Sequence, residues 1–346
     1  MRRITLFIVL AAALILTAGN LFAQTGRGTT RGETLEIKIA SPLPQQSPWG
    51  RTLDRIAAEW SKITNGRVRL RVLHGGSEGS EDKMFQSLSS DTIQAAVFTS
   101  FGLNCIDPVI MTLSAPFFIR NDAELAEVMK EIQPELETRY NSGNFFILAW
   151  SKAGFVNIFS KEPVFVPDDL KKLKIASNHE AAEMNTAFKM MGYQVVEAGL
   201  TDLGQKVATG AIQSVYLPPA GMAAYQIHRE LKHMLPVNIA PVIGGMVINQ
   251  VAWRRIANLD PQFQQNLIRA TRQIAAEFDA SMSKVNSDSV TTMTRTGLII
   301  NKTNQQQEQL WYSDVERVIP TLLGTTYDRN LYNKINDILI KYRRGR

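Results

Sequence analysis

The chain has 346 residues, a formal net charge of +6 and one cysteine. A single cysteine excludes an internal disulfide, and a chain of this length is expected to divide into two lobes because single hydrophobic cores stop growing near this size. The basic residues are scattered along the sequence, which argues against a nucleic-acid-binding protein.

The first 23 residues have the order of a secretory signal peptide. A positive start at Arg2 and Arg3 precedes an apolar run, and the segment ends with the small residue Ala23. The apolar run is shorter than the ~20 residues that a permanent membrane anchor needs. We therefore expect a signal peptide over 1–23 that is cleaved after Ala23, a polar linker over 24–32 and a mature protein in the periplasm. An uncleaved anchor is the alternative.

A first α/β lobe is indicated by alternating strand and helix patterns. Period-two and helical periodicities predict, in chain order, a strand over 35–40, a helix over 49–64, a strand over 68–73, a helix over 81–89 and a strand over 93–98. The loop Gly75–Gly79 lacks the Gly-Lys-Ser/Thr of a phosphate-binding loop, so we expect a turn there. The order of elements is typical of a doubly wound α/β lobe with a mostly parallel sheet.

A second α/β unit follows a helix that begins near Asp122. In that helix Leu125, Val128, Met129 and Ile132 fall on one face and are expected to pack in the core. The next predicted elements are strands over 145–150, 155–159 and 173–176, a helix over 180–191, a strand over 194–196, a helix over 202–209 and a strand over 212–216.

The longest predicted element is a helix over 261–295. Asp260 and Pro261 form a good N-terminal signal, and Gly297 marks the end. A continuous helix would run about 50 Å, which exceeds one lobe, so it must either break or span both lobes. The basic residues at the C terminus are expected to form a solvated tail, with attraction to an anionic membrane surface as the alternative; they are Lys341, Arg343, Arg344 and Arg346.

No catalytic or metal-binding constellation is found in the sequence. The four histidines, His74, His179, His228 and His233, form neither an HExxH motif nor an i, i+4 pair. Cys105 has no partner motif and is expected to pack as a small apolar side chain. We therefore predict no catalytic residue, no metal and no cofactor. An exported enzyme with an unfamiliar site is the alternative from a different functional class.

Several short motifs stand in an order that resembles one family, the substrate-binding receptors of the tripartite ATP-independent periplasmic (TRAP) transporters. The motifs are Asn65-Gly66-Arg67-Val68, Gly79-Ser80-Glu81-Asp82-Lys83-Met84, Ser114-Ala115-Pro116-Phe117-Phe118-Ile119, residues 167–175 (PDDLKKLKI) and Ala208-Thr209-Gly210-Ala211-Ile212. Together with the long C-terminal helix, they extend the resemblance over nearly the whole mature chain.

The resemblance implies an α/β, two-lobed periplasmic binding protein of the Venus-flytrap type, with crossing hinge strands and one long helix that spans both lobes. It implies a first lobe of residues 33–153 with 242–281 and a second lobe of 154–241 with 282–346. It also implies that ligand closes the cleft and that the closed receptor docks on the two membrane subunits of an ion-gradient-driven permease.

Three polar anchors of the family are replaced by apolar residues in this chain. Ala176 stands where receptors usually carry a carboxylate-binding arginine, Val156 where a second arginine often lies, and Leu217 where an asparagine usually meets the ligand. A hydrophobic ligand, such as a fatty acid or another lipid-like molecule, is therefore expected. A receptor for a conventional organic acid with a rearranged site is the alternative. Receptors without the arginine also resemble a subclass that works with a periplasmic tetratricopeptide-repeat protein.

The expected ligand-binding residues surround these three positions. Besides Val156, Ala176 and Leu217, the apolar wall is expected to include Leu200, Tyr216, Trp49, Phe98 and Phe101. Gln45, Thr99 and Glu81 are the candidates for the few polar contacts that would orient the ligand.

Overall fold

A computed structural model describes residues 34–178 and 182–345, so the predicted signal peptide, the linker and His179 lie outside the described residues. The strands are β1 (Leu35–Ala40), β2 (Val68–Leu73), β3 (Ala95–Phe98), β4 (Phe145–Phe155), β5 (Asn157–Ser160), β6 (Lys174–Ser177), β7 (Gln194–Glu197), β8 (Ser214–Leu217), β9 (His233–Leu235), β10 (Pro241–Asn249) and β11 (Ile299–Ile300). The helices are α1 (Pro48–Ile63), α2 (Glu81–Ser89), α3 (Ser100–Asn104), α4 (Asp122–Asn141), α5 (Pro167–Leu170), α6 (Ala182–Met190), α7 (Leu203–Ala208), α8 (Pro219–Ala224), α9 (Gln250–Leu259), α10 (Pro261–Arg295), α11 (Gln305–Glu316), α12 (Ile319–Leu322) and α13 (Arg329–Arg344).

The first lobe is built on a sheet with the strand order β2-β1-β3-β10-β4. β1 pairs in parallel with β2 and β3, whereas β10 runs antiparallel to β3 and β4. Period-two alternation buries Ile37 and Ile39 of β1 completely, and they pack in one core with Trp60 of α1 and Leu267 of α10. The first three strands are parallel as predicted, whereas the sheet as a whole is mixed and not mostly parallel, because β10 runs antiparallel to both of its neighbours.

The second lobe is built on a sheet with the order β11-β9-β5-β8-β6-β7. β6 pairs in parallel with β7 and β8, and β5 runs antiparallel to β8 and β9. The two sheets, each with its own helices, confirm the predicted two-lobed α/β fold.

Two extended segments cross between the sheets side by side. One runs from β4 through Val156 into β5, and the other runs from β9 through Ala240 into β10. The Val156 amide donates to the Ala240 carbonyl (2.9 Å), and the Ile239 amide donates to the Val156 carbonyl (3.1 Å). These paired crossings are the hinge strands that the resemblance implied.

Helix α10 does not break: it is continuous from Pro261 to Arg295. Its N-cap is Asp260, whose carboxylate accepts a hydrogen bond from the Gln262 amide (2.9 Å). Along its length it packs against α1 of the first lobe and α8 of the second. The helix therefore spans both lobes, as one of the two sequence alternatives required.

The C-terminal basic segment is a solvated tail only in part: Lys341 and Arg344 are exposed, Arg343 is half-buried, and Arg346 lies outside the described residues. The segment belongs to α13, whose Leu331, Ile335 and Leu339 are buried in the core that contains α4 of the first lobe. The Arg343 guanidinium donates to both carboxylate oxygens of buried Glu124 (2.9 and 2.8 Å). The ion pair between Arg343 and Glu124 thus joins α13 to α4. The packing places α13 beside α4; the implied lobe boundaries stay predictions.

Candidate functional site

A cavity of about 220 Å³ lies between the two lobes. Its walls come from segments at or just beyond the carboxyl ends of β1, β3, β6 and β8, together with the crossing strands and α10. In open α/β sheets this is the edge at which ligands bind, because the loops there are free of the sheet's hydrogen-bond ladder.

The wall of this cavity is almost wholly apolar. Among the described residues, none of those that line it is Asp, Glu, Lys, Arg or His. Aromatic and aliphatic side chains supply most of the surface, among them Trp49, Phe98, Phe101, Trp150, Met246 and Phe278. A buried ionic group of a ligand would therefore find no opposite charge in the wall.

Nine of the predicted ligand-binding residues line the cavity: Trp49, Phe98, Thr99, Phe101, Val156, Ala176, Leu200, Tyr216 and Leu217. The three positions at which the sequence departs from the pattern that it resembles lie close together in the fold. Val156 is on a crossing strand, Ala176 is in β6, and Leu217 in β8 pairs with Asn157 next to Val156. Their role as ligand contacts stays a prediction.

Gln45 and Glu81, the other two predicted contacts, do not lie in the cavity wall. The Gln45 side chain is directed to Asp54 instead, with its amide donating to a carboxylate oxygen over 3.1 Å. Glu81 is buried behind Thr99 and accepts hydrogen bonds from the Thr99 amide (2.6 Å) and hydroxyl (2.7 Å). Glu81 thus fixes the orientation of a wall residue, a role that depends on tertiary packing.

A short polar edge interrupts the apolar wall at the carboxyl end of β6. Ser177, Asn178 and Tyr216 line the cavity there, and the Ser177 and Tyr216 hydroxyls lie 3.5 Å apart. Ser177 is also hydrogen-bonded to buried Asn185. Burial raises the pKa of Tyr216, although hydrogen bonds from Ser177 and the Asn178 backbone oppose that shift. The edge consequently offers neutral hydrogen-bonding groups.

Sequence reasoning missed Ser177 and Asn178. The available signal was their position directly after β6, where loop residues of an α/β sheet meet ligands.

Two contacts join the lobes across the mouth of the cleft, and sequence reasoning missed both. The Tyr225 hydroxyl of the second lobe donates to the Pro42 carbonyl of the first (3.2 Å), and both residues line the cavity. Burial raises the pKa of Tyr225, with the charge of Glu81 adding to the effect, so the hydroxyl stays a donor at neutral pH. In addition, Gly76 has φ +70°, and a Cβ built there would lie 2.5 Å from the Thr201 methyl. Gly76 therefore permits close approach of the two lobes.

The remaining candidates for chemistry have structural partners. His74 is hydrogen-bonded to Asp54 (2.8 Å) and His233 to Asn301 (3.1 Å). Cys105 is partly buried, and its thiol contacts the Phe101 carbonyl over 3.7 Å. Within the described part of the chain, no group of three or more His, Cys, Asp or Glu side chains is placed to hold a metal ion.

Comparison with known sequences decides the family. Residues 39–323 match the sequence profile of the bacterial extracellular solute-binding proteins, family 7 (DctP). The chain belongs to this family. A relative, a solute-binding protein of Verminephrobacter eiseniae, is 24% identical over 269 residues, which cover 77% of this chain and 78% of that protein.

Solved structures of periplasmic and sugar-acid-binding proteins share the fold. The sugar-acid-binding protein DctPAm of Advenella mimigardefordensis, solved with galactonate, is 14% identical with a TM-score of 0.81, covering 89% of this chain and 99% of that one. A TRAP periplasmic solute-binding protein from Ralstonia eutropha H16, solved with (S)-2-acetolactate, is 18% identical with a TM-score of 0.82, covering 88% and 99%.

The implied resemblance to TRAP receptors is thereby confirmed. TRAP receptors of the DctP family are periplasmic solute-binding proteins that work with membrane permease subunits, which places this chain in the same compartment and the same role. Over residues 34–178 and 182–345, no helix is both long and apolar enough to cross a bilayer.

Proposed function

We propose that this TRAP receptor binds a largely apolar small molecule, such as a fatty acid or another lipid-like compound, between its lobes. The proposal rests on one observation: none of the described residues that line the cavity carries a full charge at neutral pH. Each ionised carboxylate that a ligand buries loses several kcal/mol of hydration, and only strong polar or cationic partners restore it, so a molecule with a single head group and a mostly apolar surface suits this wall better than a small, multiply polar acid. Val156, Ala176 and Leu217 supply no such partner.

The polar edge gives such a ligand one defined orientation. Ser177, Asn178 and Tyr216 lie at one side of the wall, and Thr99 is held in place by Glu81. A single polar head group would lie at this edge while the apolar part fills the aromatic wall. That division is typical of cavities in which a few polar groups orient a mostly hydrophobic ligand.

A receptor for a small organic acid is the second candidate. It is favoured by the ligands of the solved relatives, galactonate and (S)-2-acetolactate, each of which carries a carboxylate. In this chain, such an acid would have to be held by the neutral groups of the polar edge alone. The two candidates therefore differ in whether affinity rises with apolar surface or with added carboxylates.

Calorimetry on the purified protein separates the candidates. Bound molecules are first removed by unfolding and refolding, and the protein is then titrated with saturated fatty acids and, in parallel, with succinate and galactonate. Tight binding of fatty acids without binding of the acids is expected. Tight binding of succinate with no affinity for the long-chain compounds would overturn the proposal in favour of the second candidate.

A non-catalytic role is part of the proposal. A molecule that co-purifies with the protein should be recovered unaltered after prolonged incubation, as judged by mass spectrometry. Turnover of that molecule by the purified chain, and its absence in a heat-denatured control, would favour an enzyme.

We also propose a periplasmic tetratricopeptide-repeat protein as an additional partner, because a poorly soluble ligand needs a route through water to the permease. Analytical ultracentrifugation of the two mixed proteins should show a complex that neither forms alone. Independent sedimentation of the two proteins at micromolar concentration would remove this partner while leaving the receptor function untouched.

A further inference from the structure

A second cavity lies beside the one described above and shares part of its wall. It holds about 120 Å³ and lies between the lobes, with Thr99, Phe101, Val156, Tyr216 and Val242 bordering both cavities. Its remaining walls come from β5, β6, α6, α11 and the segment 108–117. Apart from the residues of the shared wall, none of the residues predicted from the sequence to bind ligand borders the second cavity.

The second cavity offers water few polar side-chain groups. Its described lining residues include no ionisable carboxylate, amine, guanidinium or imidazole. The polar side chains in its wall already have partners inside the protein: the Ser100 hydroxyl donates to the Ile243 carbonyl (2.9 Å), the Trp311 indole to the Phe165 carbonyl (2.9 Å) and the Tyr193 hydroxyl to Asp314 (2.7 Å). A buried water needs two to four polar partners, and a comparable apolar cavity of roughly 150 Å³ in another protein stays dry and binds benzene.

The hydroxyls of the remaining polar wall residues are engaged as well. Ser114 donates to Ser100 (3.3 Å), Thr99 donates to Glu81 (2.7 Å), and Tyr216 lies 3.5 Å from Ser177. The cavity therefore favours an apolar occupant over water.

The volumes of the two cavities also favour a ligand that occupies both of them. The main cavity, at about 220 Å³, is smaller than the usual range for small-molecule sites of roughly 300–1,000 Å³, whereas the two cavities together reach that range. An empty apolar cavity is also costly to keep, because the atoms of its wall lose dispersion contacts. Both facts favour a ligand that extends through the shared wall.

The walls are suited to an occupant of variable shape. Met111, Met184 and Met191 contribute to the second cavity, and unbranched thioether side chains adapt to irregular apolar surfaces. Phe188 lies with its ring centroid 6.3 Å from that of Tyr216 in the shared wall. Phe101 and Tyr216 both stand in the wall that the two cavities share.

We propose that the second cavity is a compartment of the same binding site, which takes the distal apolar part of an elongated ligand behind Phe101 and Tyr216. The proposal rests on the apolar-ligand function proposed above. It assigns the ligand class more narrowly: a molecule with a polar head and an apolar chain long enough to pass from one cavity to the next.

The test is a chain-length series in the wild-type protein and in Ala240→Phe. Ala240 is buried and borders only the second cavity, so a phenyl ring at this position fills that space. The probes are saturated fatty acids of about 6 to about 16 carbons, for which each buried methylene is expected to raise affinity about fourfold. In the wild type, affinity should keep rising into the longer members. In Ala240→Phe it should stop rising at a shorter length, so that only the longer probes bind at least about tenfold more weakly.

The matched control is Ala198→Phe, since Ala198 borders the main cavity alone. This variant should weaken binding of short and long probes alike. Ala240→Leu, with a smaller side chain, replaces Ala240→Phe if the latter fails to give a cooperative thermal melt. An equal effect of Ala240→Phe on every chain length, or no effect on any, overturns the second compartment while the apolar-ligand function stands. Absence of fatty-acid binding in the wild type, with binding of succinate, overturns both.

Discussion

At the scale of single residues, the proposed specificity of this receptor depends on which side chains the wall of the cleft lacks. Ala176 is 7% exposed and Val156 is 8% exposed, so each forms part of a closed apolar surface. An arginine at either position would bring a planar cation with paired donors to that surface. Its absence is the physical reason to expect an apolar ligand.

The first prediction restores that cation. Ala176→Arg should give measurable binding of succinate, at least about tenfold tighter than in the wild type, and should weaken fatty-acid binding because a charge then lies in the apolar wall. Isothermal titration calorimetry with both ligands measures the change.

Ala176→Met is the control for this first prediction, since it adds bulk without charge. It should weaken fatty-acid binding and leave succinate unbound. A folded Ala176→Arg protein that still ignores succinate would contradict the idea that loss of the arginine redirected specificity.

At the scale of elements, helix α10 is bonded to the crossing strand at two points one heptad apart. The Asp279 carboxylate accepts a hydrogen bond from the Lys152 amide (2.9 Å), and the Asn286 amide donates to the Ala153 carbonyl (3.1 Å). Asn286 also accepts from the Ala220 amide (2.9 Å) at the start of α8. Residues seven apart lie on one face of a helix, so α10 holds the hinge strand and the second lobe with a single surface.

The second prediction removes the hydrogen bonds that the Asn286 side chain forms with Ala153 and Ala220. Asn286→Ala should lower the free energy of unfolding by about 1 to 3 kcal/mol, because the Ala220 amide and the Ala153 carbonyl lose their partner in a partly buried site. Urea denaturation followed by circular dichroism measures it. Gln265→Ala, at an exposed position of the same helix, is the control and should change stability by less than about 0.5 kcal/mol. Equal losses of stability in both variants would show that Asn286 does not hold the crossing strand and α8 to α10.

The third prediction concerns α13 and its ion pair with α4. Burial by itself raises the pKa of Glu124, but hydrogen bonds from the Arg343 side chain and the Arg120 amide, and the charges of both arginines, hold it below the ordinary value of 4.5. Because the folded pKa is the lower one, the unfolded chain binds the proton more readily. The ion pair therefore contributes its full stability above pH 4.5, and the contribution is lost as the pH falls through the folded pKa.

Glu124→Gln should accordingly be less stable than the wild type near pH 7, on the order of 1 to 3 kcal/mol, with a gap that narrows in acid. Denaturation curves across the pH range give the difference. Glu131→Gln, an exposed carboxylate on the same helix, serves as the control and should show no such narrowing gap. A constant gap for Glu124→Gln down to pH 3 would refute the assignment.

At the scale of the whole molecule, the lobes are joined by two crossing strands, by α10 and by contacts across the mouth of the cleft. The Tyr225 hydroxyl and the Pro42 carbonyl form a bond that exists only while the lobes are close. Hinge motion with rigid lobes is the expected response to ligand in such a fold.

The fourth prediction follows from that bond. Tyr225→Phe keeps the ring but removes the donor, so it should favour the open form and weaken ligand binding about five- to tenfold. Small-angle scattering of ligand-free protein should give a larger radius of gyration for Tyr225→Phe than for the wild type. Tyr312→Phe, at a residue that does not line the main cavity, controls for loss of a tyrosine hydroxyl. If both variants give the same small radius of gyration with and without ligand, the expected hinge closure of the lobes is contradicted.

The sequence pattern predicted much of the fold because helices and strands depend largely on residues that are neighbours in the chain. Helix α10 begins and ends where the sequence placed it, since Asp260 caps it and no Gly or Pro interrupts residues 262–295. Strand boundaries were less accurate: β4 continues to Phe155, well past the predicted end at 150. Its extension depends on pairing with β10, about a hundred residues away in the chain.

The apolar character of the cleft at Val156, Ala176 and Leu217 was determined by the sequence alone, because each residue stands at a recognisable place in a motif. Tertiary structure decided what surrounds them. The Arg343–Glu124 pair joins residues 219 apart, the Tyr225–Pro42 bond joins residues 183 apart, and the second cavity exists only where both lobes meet. Such contacts leave no periodic signal in the chain, since they depend on how separate elements pack and not on the spacing of residues within one of them.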